Sequence, residues 1–182
     1  MLLQWSAPEY MPHSFQVSGL SGTVGHKQTG NCFDLTKQVA DGFVGMQELS
    51  KGLFLVQSEM AFKRETELYE EYPERKVFQL SFCMNGICEW DYRQKQGEHY
   101  QLSPTQCSLQ CGTFSQCVSH FGSEQPYHTL SISLEEGRFS SLTEDLEAAH
   151  LIRRDDKICT HVFSTTPEIR LVLQQLLDCP PE

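Results

Sequence analysis

Leu80-Ser-Phe-Cys-Met-Asn-Gly-Ile-Cys-Glu-Trp90 (LSFCMNGICEW) sets Asn85-Gly86 between two apolar, β-prone runs, with one cysteine on each side. Asn-Gly suits the two central positions of a type I′ turn, because both must take positive φ. The stretch therefore predicts a β-hairpin. With a two-residue loop, Met84 would pair with Ile87, and Cys83 would lie opposite Cys88 at a non-hydrogen-bonded site, where side chains are close. That separation is compatible with a disulfide and equally with two packed thiols, and a longer loop would shift the partners.

The flanks continue the β pattern. Phe54, Val56, Ser58, Met60 and Phe62 alternate with Leu53, Leu55, Gln57, Glu59 and Ala61, a strand that is apolar on more than one face. A polar break from Lys63 to Lys76, containing Pro73, follows it. Beyond the hairpin come a polar loop at 94–99 and runs at 100–109, around 117–121 and at 127–134. Such strands, separated by Gly, Pro, Asn and Ser clusters at intervals of about ten residues, predict an all-β core over 43–135, a sandwich or a barrel. Residues 1–42 carry Pro8, Pro12 and several glycines without a sustained period, and read as an N-terminal arm with one or two short strands.

Beyond 135 the period becomes helical. Phe139, Leu142, Leu146 and Ala149 fall at helix spacing, with Ser140 or Ser141 able to cap. The last helix has a clearer start: Thr166 as N-cap, Pro167 at the first helical position, and Glu168 at the positive end of the dipole. Ile169, Val172, Leu173, Leu176 and Leu177 then form one apolar stripe, which Cys179-Pro180-Pro181 stops. The stripe must bury itself, either on its own sheet or in a homodimer, and the dimer is the sharper expectation. Residues 136–182 thus read as a C-terminal helical segment.

The composition narrows the function classes. With 182 residues, 39% hydrophobic and 21% charged, the chain can bury a core without staples. No basic segment leads into a long apolar one, and no window reaches the ~20 apolar residues of a membrane helix, so a cytoplasmic address is expected. In that compartment the eight cysteines are expected as thiols. The net charge of −10, with basic residues scattered and Arg153-Arg154 followed by Asp155-Asp156, speaks against a nucleic-acid surface on this segment.

No cofactor or metal is expected. The Cys83-x4-Cys88 and Cys107-x3-Cys111-x5-Cys117 spacings match neither structural zinc arms nor the common iron–sulfur strings. The seven histidines are dispersed, and there is no G-x-S-x-G, P-loop or Rossmann fingerprint, so no catalytic residue is assigned.

The order "QLSFCMNGICEW", "EHYQLSPTQCSLQCG", "YHTLSISLEEGRFSSL" is similar to the ligand-sensing cupin module of AraC-family transcription regulators. The ending "LVLQQLLDCP" resembles the helix before the linker to the DNA-binding domain in the pyochelin-regulator subgroup. Together these segments cover about residues 43–180. The resemblance implies a mainly β fold, a cupin-like (double-stranded β-helix) barrel with C-terminal helices. It further implies a small-molecule effector, such as a ferric siderophore or other metal chelate, and a helix-turn-helix DNA-binding domain following residue 182 in a longer protein. One departure is clear: Gln79 stands at the glutamate of the cupin metal motif, and no histidine lies between 70 and 78. The usual metal triad is absent, and a binding module is favoured over an enzyme.

In such a barrel, Cys88, Trp90 and Tyr92 share one hairpin face, while Phe82, Met84 and Ile87 share the other. Trp90 and Tyr92 offer stacking surface for a planar ligand, with Phe82 and Met84 as opposite-face candidates. His128, with Leu130, Ile132 and Leu134 on the expected inward face of the closing strand, could anchor a polar group. Core packing is the competing reading for each. A thiol-based redox or metal sensor using Cys83 and Cys88, with Cys107, Cys111 and Cys117, is the alternative from another class. A metal-free cupin enzyme is a third.

Overall fold

Among the described residues, alternating β-branched and aromatic residues build eleven strands, and one capped sequence builds a long helix. In the computed structural model the strands are β1 (Leu2–Gln4), β2 (Ser14–Val17), β3 (Asn31–Asp34), β4 (Ala40–Ser50), β5 (Leu53–Phe62), β6 (Thr66–Asn85), β7 (Cys88–Tyr92), β8 (His99–Leu102), β9 (Gln106–Phe121), β10 (Pro126–Leu134) and β11 (Cys159–Ser164). A short helical stretch at 144–148 is α1, and α2 is Pro167–Asp178. The structure describes residues 2–4, 14–17, 31–34, 40–92, 98–123, 125–134, 142, 144–150, 152 and 158–178. The proposed caps Ser140 and Ser141 lie outside them.

The sheet runs β3-β4-β5-β10-β6-β9-β7-β8, with β2 joined to β6, β1 to β2 and β11 to β9. The two longest strands each serve two layers. The far half of β6 lies between β9 and β10 (Phe82 opposite Cys107 and Leu130), whereas its near half lies between β9 and β2 (Tyr69 opposite Val118 and Gln16). Likewise β9 carries β11 on residues 106–111 and β7 on 117–120.

Chain length requires the bend. Phe82 pairs with Cys107, and Glu89, only seven residues later, pairs with His120. Seven residues reach about 25 Å at most, whereas a straight β9 would set those partners about 43 Å apart. The ladder breaks between Glu71 and Arg75, around Pro73, and Gly112 takes φ 128 nearby. A bulge of this kind bends a strand and re-aims the residues beyond it.

The architecture is mainly β, but the expected cupin-like barrel is not formed. A barrel needs its last strand to hydrogen-bond its first. Here the path is open, with β3 at one end and β8 at the other, and among the described residues no ladder joins them. The outer edge of β4 is already taken by β3, from Asn31 opposite Met46 to Asp34 opposite Phe43. The sheet folds over on itself as two layers that share β6 and β9.

The expected hairpin is also corrected: β6 and β7 are not ladder neighbours. Gly86 has φ 79, but Asn85 is not among the positive-φ residues, so the type I′ geometry is not met. Instead Asn85 Oδ1 accepts the Gly86 N–H at 2.9 Å, and the chain crosses from one layer to the other. A Cβ on Gly86 would lie 2.7 Å from the Pro126 carbonyl oxygen, so the crossing depends on glycine. Two further expectations fail for the same long-range reason. The polar break at 63–76 is mostly the near half of β6, and the runs at 100–109 and 117–121 belong to β8 and one continuous β9.

Directly paired residues share a face. On one face of the main layer, Phe78, Leu80 and Phe82 of β6 stand beside Leu109 and Cys107 of β9 and Leu130 and Ile132 of β10. α1 and Ile152 cover one part of it, Leu146 packing with Phe78, Leu109 and Cys111. α2 covers the rest: Leu173, 3% exposed, packs with Phe82, Cys107 and Leu130, and Leu177 joins them. Its start is as expected, the Ile169 N–H donating to Thr166 Oγ1 at 3.4 Å. The stripe is split, however. Leu173 is buried and Leu176 and Leu177 half-buried, while Ile169 and Val172 are exposed beside Leu171.

Candidate functional site

The opposite face of the main layer looks into the fold and is polar. Ser81 of β6 stands between Ser108 of β9 and Ser131 of β10, and Gln79 between Gln110 and Ser133. Ser81, Ser108, Gln110 and Ser131 are buried. Ser131 Oγ donates to Ser81 Oγ at 2.9 Å, Gln79 Nε2 to Ser81 Oγ at 2.9 Å, and Ser133 Oγ to Gln79 Oε1 at 3.3 Å. Gln79 therefore belongs to a hydrogen-bonded amide and hydroxyl row.

The facing wall comes from the second layer. Trp90 and Tyr92 of β7 pack with Cys83, Leu102, Cys117 and Ile158, and Tyr100 lies against both rings, stacked on Trp90 at 5.6 Å and edge-on to Tyr92 at 5.6 Å. At the other end, Met60, Phe62 and Tyr127 close the interior with Phe121, whose ring stacks on Phe62 at 4.4 Å.

Between the walls the polar atoms are incompletely matched. Thr160 of β11 stands opposite Gln110 on the inner face. Its hydroxyl and the Trp90 indole neighbour the Tyr92 hydroxyl. Yet among the described residues Trp90 Nε1, Thr160 Oγ1 and Ser108 Oγ are all buried and make no hydrogen bond of normal geometry. Buried polar atoms in native proteins are nearly always paired, so each such atom calls for a reason. Burial, and next the Cys117 thiol, push the Tyr92 phenol well above its ordinary pKa, so it remains a neutral donor.

The structure divides the residues picked from the sequence. Trp90 and Tyr92 face the interior. Phe82 and Met84 pack on the other side, in the cluster that holds Leu173 and Leu177 of α2. His128 is half-buried beside Gln57, 3.4 Å between Nε2 atoms, two residues from Leu130, which packs under α2. The expected inward face of β10 is thus reversed, and Thr129, Ser131 and Ser133 look inward. Leu130 and Ile132 are apolar because helix α2 covers them. Ser108, Gln110 and Thr160 escaped notice because isolated polar residues inside strands read as solvent-facing.

Cys83, Cys88, Cys107, Cys111, Cys117 and Cys159 are thiols rather than disulfides. They do not gather as one set: Cys83 and Cys117 face the interior, with Cys88 packed beside them, and Cys107 and Cys111 lie on the helix-covered face. Cys83 and Cys88 do meet, across the Asn85-Gly86 crossing. A hydrogen bond between the two thiols lowers the Cys83 pKa and raises that of Cys88.

On the outer face of β7 the structure assembles a group that the sequence did not reveal. Asp91 Oδ1 lies 2.9 Å from His99 Nδ1 of β8, and Asp91 Oδ2 lies 2.7 Å from His120 Nε2 of β9. Glu67 Oε1 is 3.7 Å from the other ring nitrogen of His120. Burial alone would raise the Asp91 carboxyl, but hydrogen bonds to His120 and His99 hold it below the usual carboxylate range.

The family model described as the regulatory protein PchR N-terminal domain matches residues 41–182. No curated protein sequence matches the chain. Among solved structures, ToxT from Vibrio cholerae is 9% identical, with 72% of this chain and 49% of that one covered at a TM-score of 0.49. The AraC-like transcriptional activator CuxR is 7% identical, with 76% and 45% covered at 0.45. The chain spans about half the length of each. Among the described residues no helix is long and apolar enough to cross a membrane.

Proposed function

The chain belongs to the family of the regulatory protein PchR N-terminal domain, and from that premise we propose that it is the effector-binding domain of a cytoplasmic AraC-type transcription regulator. The family is the one inferred from the sequence, and it is regulatory, in line with a chain that is not an enzyme. The effector is a small planar aromatic molecule or metal chelate, a ferric siderophore being the example that the sequence resemblance implies.

One observation carries this reading. Among the described residues Trp90 Nε1, Thr160 Oγ1 and Ser108 Oγ are buried and make no hydrogen bond of normal geometry, and all belong to the interior between an aromatic wall and a serine–glutamine wall. Pairing them with an effector's polar atoms removes a standing cost of burial, and the aromatic wall supplies apolar area. The interior is lined by neutral groups, which favours an effector bound through hydrogen bonds and stacking rather than through an ion pair.

A route from effector to output follows from chain connectivity. Thr160 lies on β11, which leads directly into α2, and Thr165 is fastened to the Thr105 carbonyl by its N–H and its hydroxyl, each at 2.8 Å. Cys83 faces the aromatic wall while its neighbour Phe82 touches Leu173 of α2. An effector that binds one placement of β11 better than another shifts α2 by that difference in affinity. In a homodimer this changes the spacing of DNA-binding halves carried by a helix-turn-helix domain beyond this segment. The exposed Ile169, Leu171 and Val172 of α2 are the proposed dimer contact, with Leu173, Leu176 and Leu177 holding the helix to the sheet.

Native mass spectrometry of the purified chain, beside an absorbance spectrum, tests the proposal. A co-purified organic mass or chelate band that is lost in Tyr92→Ala and weakened in Thr160→Val supports it. A ligand retained unchanged by both variants sinks the site. The hydrogen-bonded Cys83 and Cys88 favour one second reading, a thiol sensor. It predicts a mass short by two hydrogens after mild oxidation, absent in Cys83→Ser.

A further inference from the structure

On the outer face of the second layer, we propose that Asp91, His99 and His120 form a binding site for a divalent first-row transition cation of the zinc type. Three strands supply the set: Asp91 from β7, His99 from β8 and His120 from β9. One ligand atom from each lies within 4.8 Å of the other two. Zinc takes imidazole nitrogen and carboxylate oxygen at about 2.0–2.2 Å, which places ligand atoms about 3.3 Å apart. The Asp91 oxygens already stand 2.9 and 2.7 Å from the nearer nitrogens of His99 and His120.

Three features set this group apart from an ordinary surface His–Asp pair. First, the single carboxylate turns a different oxygen to each ring, so both rings already gather on one carboxylate. Second, the far nitrogen of His120 lies 3.7 Å from Glu67 Oε1, a little beyond hydrogen-bond length and near enough to close, on metal binding, to the carboxylate–histidine–metal relation that fixes a tautomer and raises ligand basicity. Third, Glu89 is paired with His120 across the ladder and adds negative potential to a chain of net charge −10.

Two imidazoles select against calcium and magnesium, which prefer all-oxygen shells. Three protein ligands on a half-exposed surface leave a position for water or for a donor atom of another molecule. A bound cation would tie β8, which among the described residues is hydrogen-bonded only to β7, through to β9. It would thereby brace the strand whose inner face carries Trp90 and Tyr92.

The test is Zn2+ binding to the 182-residue chain by competition with a chromophoric chelator, repeated with Co2+ for its spectrum. One Zn2+ per chain at micromolar affinity or tighter is expected, with Co2+ bands of nitrogen and oxygen ligation and no thiolate charge transfer. His99→Gln and His120→Gln should each weaken binding at least tenfold, and Glu67→Gln about tenfold, with circular dichroism unchanged. Cys83→Ser should leave the affinity as it is. No saturable binding below millimolar Zn2+, or binding that survives both histidine variants and disappears on thiol alkylation, overturns the proposal. The outcome is independent of whether an effector binds between the layers.

Discussion

Ser108 and Ser81 stand directly opposite each other on β9 and β6, yet their removal should shift stability in opposite directions. Ser108 is 0% exposed and its hydroxyl has no hydrogen-bond partner among the described residues. An unpaired buried hydroxyl costs about 1–3 kcal/mol. Ser108→Ala removes that cost for the loss of one small atom, and should stabilise the free protein by ~1 kcal/mol. Ser81 Oγ instead accepts from Ser131 and from Gln79, each at 2.9 Å. Ser81→Ala strands both donors and should destabilise by ~1–3 kcal/mol. Urea unfolding at constant slope reads both changes. In thermal unfolding each kcal/mol should move the midpoint by about 2–4 °C for a chain of this size. The functional counterpart is that Ser108→Ala binds effector more weakly while being the more stable protein, the trade expected where a polar group is held for a ligand. If Ser108→Ala destabilises by ~1 kcal/mol or more, the hydroxyl is already satisfied in the free protein, and the reasoning from unmatched interior groups fails.

The remaining predictions concern the scaffold. Leu173→Ala should cost about 2–5 kcal/mol, because this side chain anchors α2 among Phe82, Cys107 and Leu130, whereas Val172→Ala on the exposed side should stay within about 0.5 kcal/mol; equal losses in chemical denaturation would contradict the docking described. Val172→Glu should yield folded monomers in sedimentation, and a folded dimer would place the interface elsewhere. Gly86→Ala should lose about 1–3 kcal/mol, since it combines φ 79 with a 2.7 Å approach to the Pro126 carbonyl oxygen; an unfolding midpoint like that of the unaltered chain would refute the strain. Burial raises the Cys107 thiol and the Tyr127 phenol, so both contribute stability that is intact below their unfolded values, about 8.5 and about 10, and is lost as pH rises through the folded values. The urea midpoint should therefore fall from about pH 9 upward, and a midpoint that holds or rises to about pH 10.5 argues against neutral buried forms.

Much of the local structure was legible in the residues. The β character of 53–62 and 126–134 follows from composition and alternation, and the start of α2 from Thr166-Pro167-Glu168, since these depend on neighbours within a few positions. The sequence also pointed to the family that the chain belongs to. That Trp90 and Tyr92 share a face was legible because groups at alternate strand positions do so wherever the strand goes.

What the tertiary structure decided was partnership and sidedness. A period of two assigns residues to two faces without saying which face meets a helix and which meets the other half of the sheet. Leu130 and Ile132 looked inward by hydrophobicity, but α2 covers them, and the polar alternates Thr129, Ser131 and Ser133 line the interior instead. Asn85-Gly86 carries the signal of a tight hairpin, yet the bend of β6 and β9 makes it a crossing between layers. The open edges at β3 and β8, and the meeting of Asp91 with His120 across 29 positions of chain, arise from the same cause. Register between distant strands is chosen by the packing of the whole sheet, and no stretch of the sequence contains both sides of that choice.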